Sequence, residues 1–189
     1  MQKKTVLNDD FETLLGQSRE LIDQNIRQML DYKPETLSHS VALYHLTCAI
    51  RMLDELSTLC SRNFNSEARH KLAELLRLYI SFKWLYSLNR MQKISGFVIS
   101  ENITDPSEYG LEGHNPGWSG KPLAQMAEET GLFEEYKALI EDRCSGIAQS
   151  TDSSDASAGE ACSTLSHALR FFHGLSAIIS EAADFQQNH

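Results

Sequence analysis

Residues 72–88 read Leu72-Ala-Glu-Leu-Leu-Arg-Leu-Tyr-Ile-Ser-Phe-Lys-Trp-Leu-Tyr-Ser-Leu88, and their apolar side chains fall on nearly every side of a helix. A surface helix keeps such residues on one stripe, whereas one that is apolar all round has to be covered by neighbours on every face. Upstream, Ser66 offers an N-cap with Glu67 in the first turn, and the helical pattern carries on to about Lys93. At 1.5 Å per residue, roughly 28 residues span about 42 Å. A long central helix among other long helices predicts an antiparallel helical bundle.

The flanking sequence supplies the neighbours. Residues 9–31 place Phe11, Leu14, Leu15, Leu21, Ile22 and Ile26 largely at helical spacing, with Asn8 or Asp9 as N-cap and Pro34 beyond the end. A second helix, capped by Thr36, runs from about Leu37 to Asn63. After the central helix the pattern breaks over residues 94–120, which hold five of the ten glycines together with Pro106 and Pro116. A connection this long inside a compact domain is as a rule functional or mobile. A short helix then starts with Pro122 in its first turn and ends at a Gly131 C-cap. Another covers about Leu132–Ala148, the polar run 149–159 reads as a flexible loop, and a last helix spans about Glu160–Gln186. No internal repeat interrupts the chain, so residues 1–189 read as one all-α domain of five to six helices with one long glycine-rich loop.

Composition narrows the function classes. No stretch approaches eighteen consecutive apolar residues, which argues against a membrane span. The first ten residues, Met-Gln-Lys-Lys-Thr-Val-Leu-Asn-Asp-Asp, lack the apolar segment of a secretory leader, so the expected compartment is the cytoplasm. Cys48, Cys60, Cys144 and Cys162 form no Cys-x-x-Cys pair. Cys48 and Cys60 sit about 18 Å apart on one helix, too far to bridge, and all four read as reduced thiols. The net charge of −9 opposes non-specific nucleic-acid binding. Within it, residues 66–93 carry six Lys/Arg against two Glu, and residues 94–160 carry three against thirteen Asp/Glu. That split predicts a basic helix packed beside acidic ones.

Chemical motifs are sparse. Seven histidines are present, yet neither Glu-x-x-His nor His-Glu-x-x-His occurs, and His39/His45 and His167/His173 are each six apart, which turns the second ring away from the first. No metal site and no cofactor is expected. Nucleophile elbows, P-loops and dinucleotide glycine patterns are missing as well. Gly117-Trp-Ser-Gly-Lys121 reads as a turn that docks Trp118 and caps the next helix; alternatively His114, Trp118 and Lys121 line the mouth of a pocket. Arg51 and Glu55 stand at i, i+4, and Arg77, on so apolar a helix, is expected to pair with Asp54 or Glu55. Arg170 and His173 share a helix face beside Gly174, which permits close approach by another backbone. Arginine beside a neutral imidazole can bind phosphate and move a proton, the combination that metal-free RNA cleavage uses.

From His39 to Phe185 the order of features resembles a family of uncharacterised all-helical bacterial proteins. The matching residues are Leu76-Arg-Leu-Tyr-Ile-Ser-Phe-Lys-Trp-Leu85, Trp118-Ser-Gly-Lys121, Leu123-Ala-Gln-Met-Ala127, Glu135-Tyr136, Arg143 and Ser145. The general shape also resembles the HEPN superfamily of bundle proteins, some of which are ribonucleases in defence and toxin systems and carry Arg followed several residues later by His. In this chain the positions after Arg143 read Ile147-Ala-Gln-Ser150 instead. The resemblance therefore implies the fold more than an activity.

Two functional expectations follow. One is a non-catalytic helical-bundle protein acting as a homodimer or on a protein partner. The other is a HEPN-like, metal-independent ribonuclease that acts on RNA through Arg143, Arg170 and His173.

Overall fold

The computed structural model describes residues 2–31, 36–87, 93, 94, 97, 121–141 and 154–184. Every regular element among them is helical: α1 (Gln2–Asp31), α2 (Leu37–Ser61), α3 (Asn65–Leu85), α4 (Leu123–Thr130), α5 (Phe133–Tyr136), a π turn (Lys137–Glu141) and α6 (Ser154–Asp184). The all-helical bundle read from the sequence is the fold. α3 packs against α2, α4 and α6, and α6 packs against α1 and α2 as well. Consecutive legs alternate in direction. The chain rises in α1, descends in α2, rises in α3, descends through α4, α5 and the π turn, and rises again in α6. Cross-links at matching heights set these directions: Ser38 with Tyr86, Asn25 with Ser176, Trp84 with Glu129 and Arg69 with Glu160.

The central helix is wrapped as its composition requires. No residue between Lys71 and Tyr86 is exposed, and Leu75, Leu76, Ile80, Phe82 and Leu85 are fully buried. It is shorter than expected, at 21 residues instead of reaching Lys93. Ser87 Oγ and Lys93 Nζ both donate to the Trp84 carbonyl, at 2.7 and 3.0 Å, and so occupy an acceptor that a further turn would need. Its N-cap is Phe64, not Ser66, because Asn63 adopts a left-handed φ of 59° and turns the chain sharply out of α2.

Other boundaries move too. α1 begins at Gln2, ahead of the expected cap at Asn8 or Asp9, since neither proline nor glycine interrupts that segment. Residues 154–159 are helical and belong to α6 instead of to a flexible loop; Ala156 and Ala158 favour the helix over the serines around them. Pro122 stands at the N-cap of α4 and not inside its first turn. Ile94 and Phe97, expected in the loop, are core residues that join Val41 and Leu85 in a second small cluster. The rest of that loop, residues 95, 96 and 98–120, and residues 142–148 of the expected helix after Leu132, lie outside the described residues.

Two expected caps are present. Thr36 accepts from the His39 N–H at 3.2 Å. Gly131 (φ 72°) closes α4 while the Leu132 N–H returns to the Ala127 carbonyl at 2.8 Å and the Gly131 N–H to Glu128 at 3.1 Å. Where polar groups enter the interface of α1, α2 and α6 they meet one another. The Ser18 and Ser57 hydroxyls are 3.0 Å apart, and Ser176 Oγ donates to Asn25 Oδ1 at 3.3 Å.

Candidate functional site

A groove of about 540 Å³ opens where the descending leg crosses between α3 and α6. α3 contributes Arg69 and Leu72 to it. From α5 and the π turn come Glu134, Glu135, Ala138 and Leu139. α6 contributes Glu160, Ser163, Thr164 and His167, a polar stripe at helical spacing. The π turn puts Ala138 and Leu139 on the groove and Ile140 into the core. Turns of this kind are rare and recur at functional sites.

Ion pairs occupy most of the charge. Arg69 meets Glu160 at 3.1 Å, and Arg170, on the rim, meets Glu135 at 3.1 Å. Glu134 has no ion-pair partner among the described residues. The His167 ring nitrogen Nδ1 lies 2.7 Å from the Ser163 carbonyl, which can only accept. Nδ1 therefore carries the hydrogen, and in the neutral ring Nε2 is left as an acceptor. Under the same rim Tyr79 stacks on Phe171. Burial raises its phenol above the ordinary value, with nearby Arg170 opposing and Glu135 adding to the rise.

The residues singled out from sequence are distributed differently. Arg170 does not pair with His173; it is held by Glu135, and His173 is exposed. What approaches Gly174 is the Tyr79 hydroxyl, not another backbone. Arg143, His114 and Trp118 lie outside the described residues. Lys121 belongs to a different place, the end of α3, where it donates to Glu129 and sits 5.5 Å from the centre of the Trp84 ring. Trp84 Nε1 also donates to Glu129, at 2.6 Å, and Lys93 covers the same indole at 4.0 Å. The hydrogen bonds from Lys121 and Trp84 hold the Glu129 carboxyl below its usual range. Burial lowers Lys93, partly offset by Glu129 and reinforced by Lys121.

A second charged cluster ties α2 to α3. Lys71 meets Glu55 at 2.9 Å and the buried Glu74 at 2.6 Å, with His70 on the other Glu74 oxygen at 3.3 Å and Arg51 on Glu55 at 3.9 Å. Glu55, one of the two carboxylates expected to face α3, thus meets a cation of that helix in Lys71. Burial opposes the Lys71 charge, but Glu74 and Glu55 together outweigh it and raise the ammonium above its ordinary value. Cys48 and Cys60 are buried free thiols, and burial, joined by Cys162 and Glu160, pushes Cys60 up to about 12. Among the described residues no group of three His, Cys, Asp or Glu is placed to hold a metal ion, and no helix is long and apolar enough to cross a membrane.

Sequence reasoning missed the groove residues Glu134, Thr164 and His167. The signal for part of it was there, since Glu160, Ser163, Thr164 and His167 recur every three or four residues beside the packed face of α6. No protein-family model matches the chain, and neither curated proteins nor solved structures give a significant match. The described residues are therefore characterised by their own geometry: an all-helical bundle with a groove between α3, the π turn and α6.

Proposed function

We propose that the chain is a non-catalytic cytosolic helical-bundle protein that acts by self-association, as a homodimer. The observation that carries this reading is an apolar end left in solvent. On the last turns of α1, Ile26 and Leu30 are 41% and 81% exposed, and Leu37, at the start of α2, is 44% exposed. Ile26 and Leu30 share a face at i, i+4, and Leu37 opens the helix that follows. Single exposed leucines are ordinary, whereas a cluster at one end of a bundle suits an isologous contact in which each copy covers the other. The buried free thiols Cys48 and Cys60 support a reducing compartment. Light scattering on the eluting protein tests the proposal. A dimer is expected, and Leu30→Glu combined with Ile26→Glu should convert it to a folded monomer. A wild-type chain that stays monomeric at micromolar concentration would overturn it.

A second reading, HEPN-like and metal-independent cleavage of RNA by Arg143, Arg170 and His173, draws support from Arg170 lying on the groove rim near the His167 imidazole. It ranks second because Glu134, Glu135 and Glu160 line that groove and would repel a phosphodiester chain. It requires RNA cleavage that survives EDTA and is lost in Arg170→Ala or His173→Ala. Intact RNA after incubation with concentrated protein would end it.

A further inference from the structure

The exposed side of α1 carries charges of alternating sign one turn apart, Arg19, Asp23 and Arg27. Arg19 with Asp23, and Asp23 with Arg27, stand at i, i+4, the spacing at which Arg51 and Glu55 close on α2. On α1 neither pair closes, and none of the three has an ion-pair partner among the described residues. At about 3.6 residues per turn, these charges share an arc of roughly 100° with the exposed Ile26 and Leu30.

That stripe decides how a second copy lies on it. A two-fold contact between identical helices is either parallel or antiparallel. In a parallel pair each residue meets its own counterpart, so Asp23 faces the partner's Asp23 and Arg27 the partner's Arg27, and both contacts repel. In an antiparallel pair crossing level with Asn25, Asp23 stands beside the partner's Arg27 and Arg27 beside the partner's Asp23. Sliding one helix by a turn brings like charges together again, Arg27 on the partner's Arg27 in one direction and Asp23 on the partner's Asp23 in the other. Charge therefore selects one orientation and one register. In that register Ile26 comes within about 3 Å, measured along the helix axis, of the partner's Ile26. Leu30 comes level with the partner's Arg19 and lies on its methylenes.

We propose that two copies of the chain pair antiparallel along the exposed sides of their α1 helices. Asp23 and Arg27 of each copy close on Arg27 and Asp23 of the other, around a central contact between the two Ile26 side chains. The proposal rests on the self-association reading above and adds to it the face, the direction and the register.

Analytical ultracentrifugation of the full chain and its charge-reversed variants tests the pairing. Asp23→Arg and Arg27→Asp each turn both cross-pairs into like charges, so each alone should raise the dimer dissociation constant roughly tenfold or more. Circular dichroism should remain that of the wild type, since both residues are exposed. An equimolar mixture of the two variants should dimerise again, because each supplies the charge the other lacks. The doubly reversed chain should return to within about threefold of the wild type. In a parallel contact a single reversal only exchanges one like-charged pair for another and changes little. A wild-type dimer indifferent to the single reversals, or single variants that neither the mixture nor the double reversal restores, overturns the pairing and leaves self-association standing. A monomeric wild type overturns both.

Discussion

Glu129 accepts a hydrogen bond from the indole N–H of Trp84 at 2.6 Å, which fastens α4 to the last turn of α3 through side chains alone. The same indole lies under Lys93 at 4.0 Å and within 5.5 Å of Lys121, so residues on either side of the glycine-rich segment converge on one ring. Glu129 in turn accepts from Lys121. One aromatic residue gathers two cations and one carboxylate where the descending leg begins.

Trp84→Phe keeps most of the ring's apolar contact but removes the N–H and weakens the cation contacts. The expected loss of stability is about 1–3 kcal/mol, the range for a lost hydrogen bond to a charged acceptor. Urea denaturation followed by circular dichroism measures it. An unchanged midpoint would mean that the clasp is ornamental.

Glycine-to-alanine changes in α6 should differ in sign. At Gly159 an added methyl meets nothing within 4 Å, so Gly159→Ala should stabilise the helix by up to about 1 kcal/mol. At Gly174 the methyl would collide with the hydroxyl end of Tyr79, whose ring is fixed on Phe171. Gly174→Ala should destabilise by about 1–3 kcal/mol, and adding Tyr79→Phe should recover part of that. Melting temperatures of the three variants decide the matter, and stabilisation at both glycines would contradict the packing described.

His45 carries a pH dependence of known direction. Burial lowers its pKa to about 4, against a backbone bond from Val41 that acts the other way, and the ring sits between Phe82 and Phe97. The unfolded chain takes up this proton near pH 6.5, the folded chain only near pH 4. Stability from the neutral ring is thus fully present above pH 6.5 and is lost as pH falls toward 4, by roughly 3 kcal/mol in all. Urea titrations across that window should show the decline in the wild type and a smaller one in His45→Phe. A flat profile would show that the ring is not desolvated.

Lys71→Met leaves the Glu74 carboxylate buried with only His70 beside it and should cost about 3 kcal/mol. The double variant Lys71→Met with Glu74→Met removes both charges and should recover most of the loss. Chemical denaturation of the pair checks this, and a double variant no better than the single would place the cost in packing instead.

Much of the architecture was legible because its signals are local. Thr36 and Gly131 cap helices in the chain as their residue types suggest, and Arg51–Glu55 forms at i, i+4. Boundaries that depend on distant partners were not legible. The end of α3 is set by Lys93 reaching back to Trp84, and burial of Ile94 and Phe97 depends on space beside Val41 and Leu85. Arg170 and His173 stand one turn apart on α6, yet the ion pair Arg170 makes is with Glu135 from another leg.

The sequence by itself determined that this protein is helical and that residues 72–85 lie at its centre. The periodicity of apolar residues and the chemistry of helix ends act within a few turns and need no knowledge of the rest. Only the tertiary structure decided where a ligand or partner could sit. The groove joins residues from α3, from α5 and the π turn and from α6, and it exists only once those elements have packed.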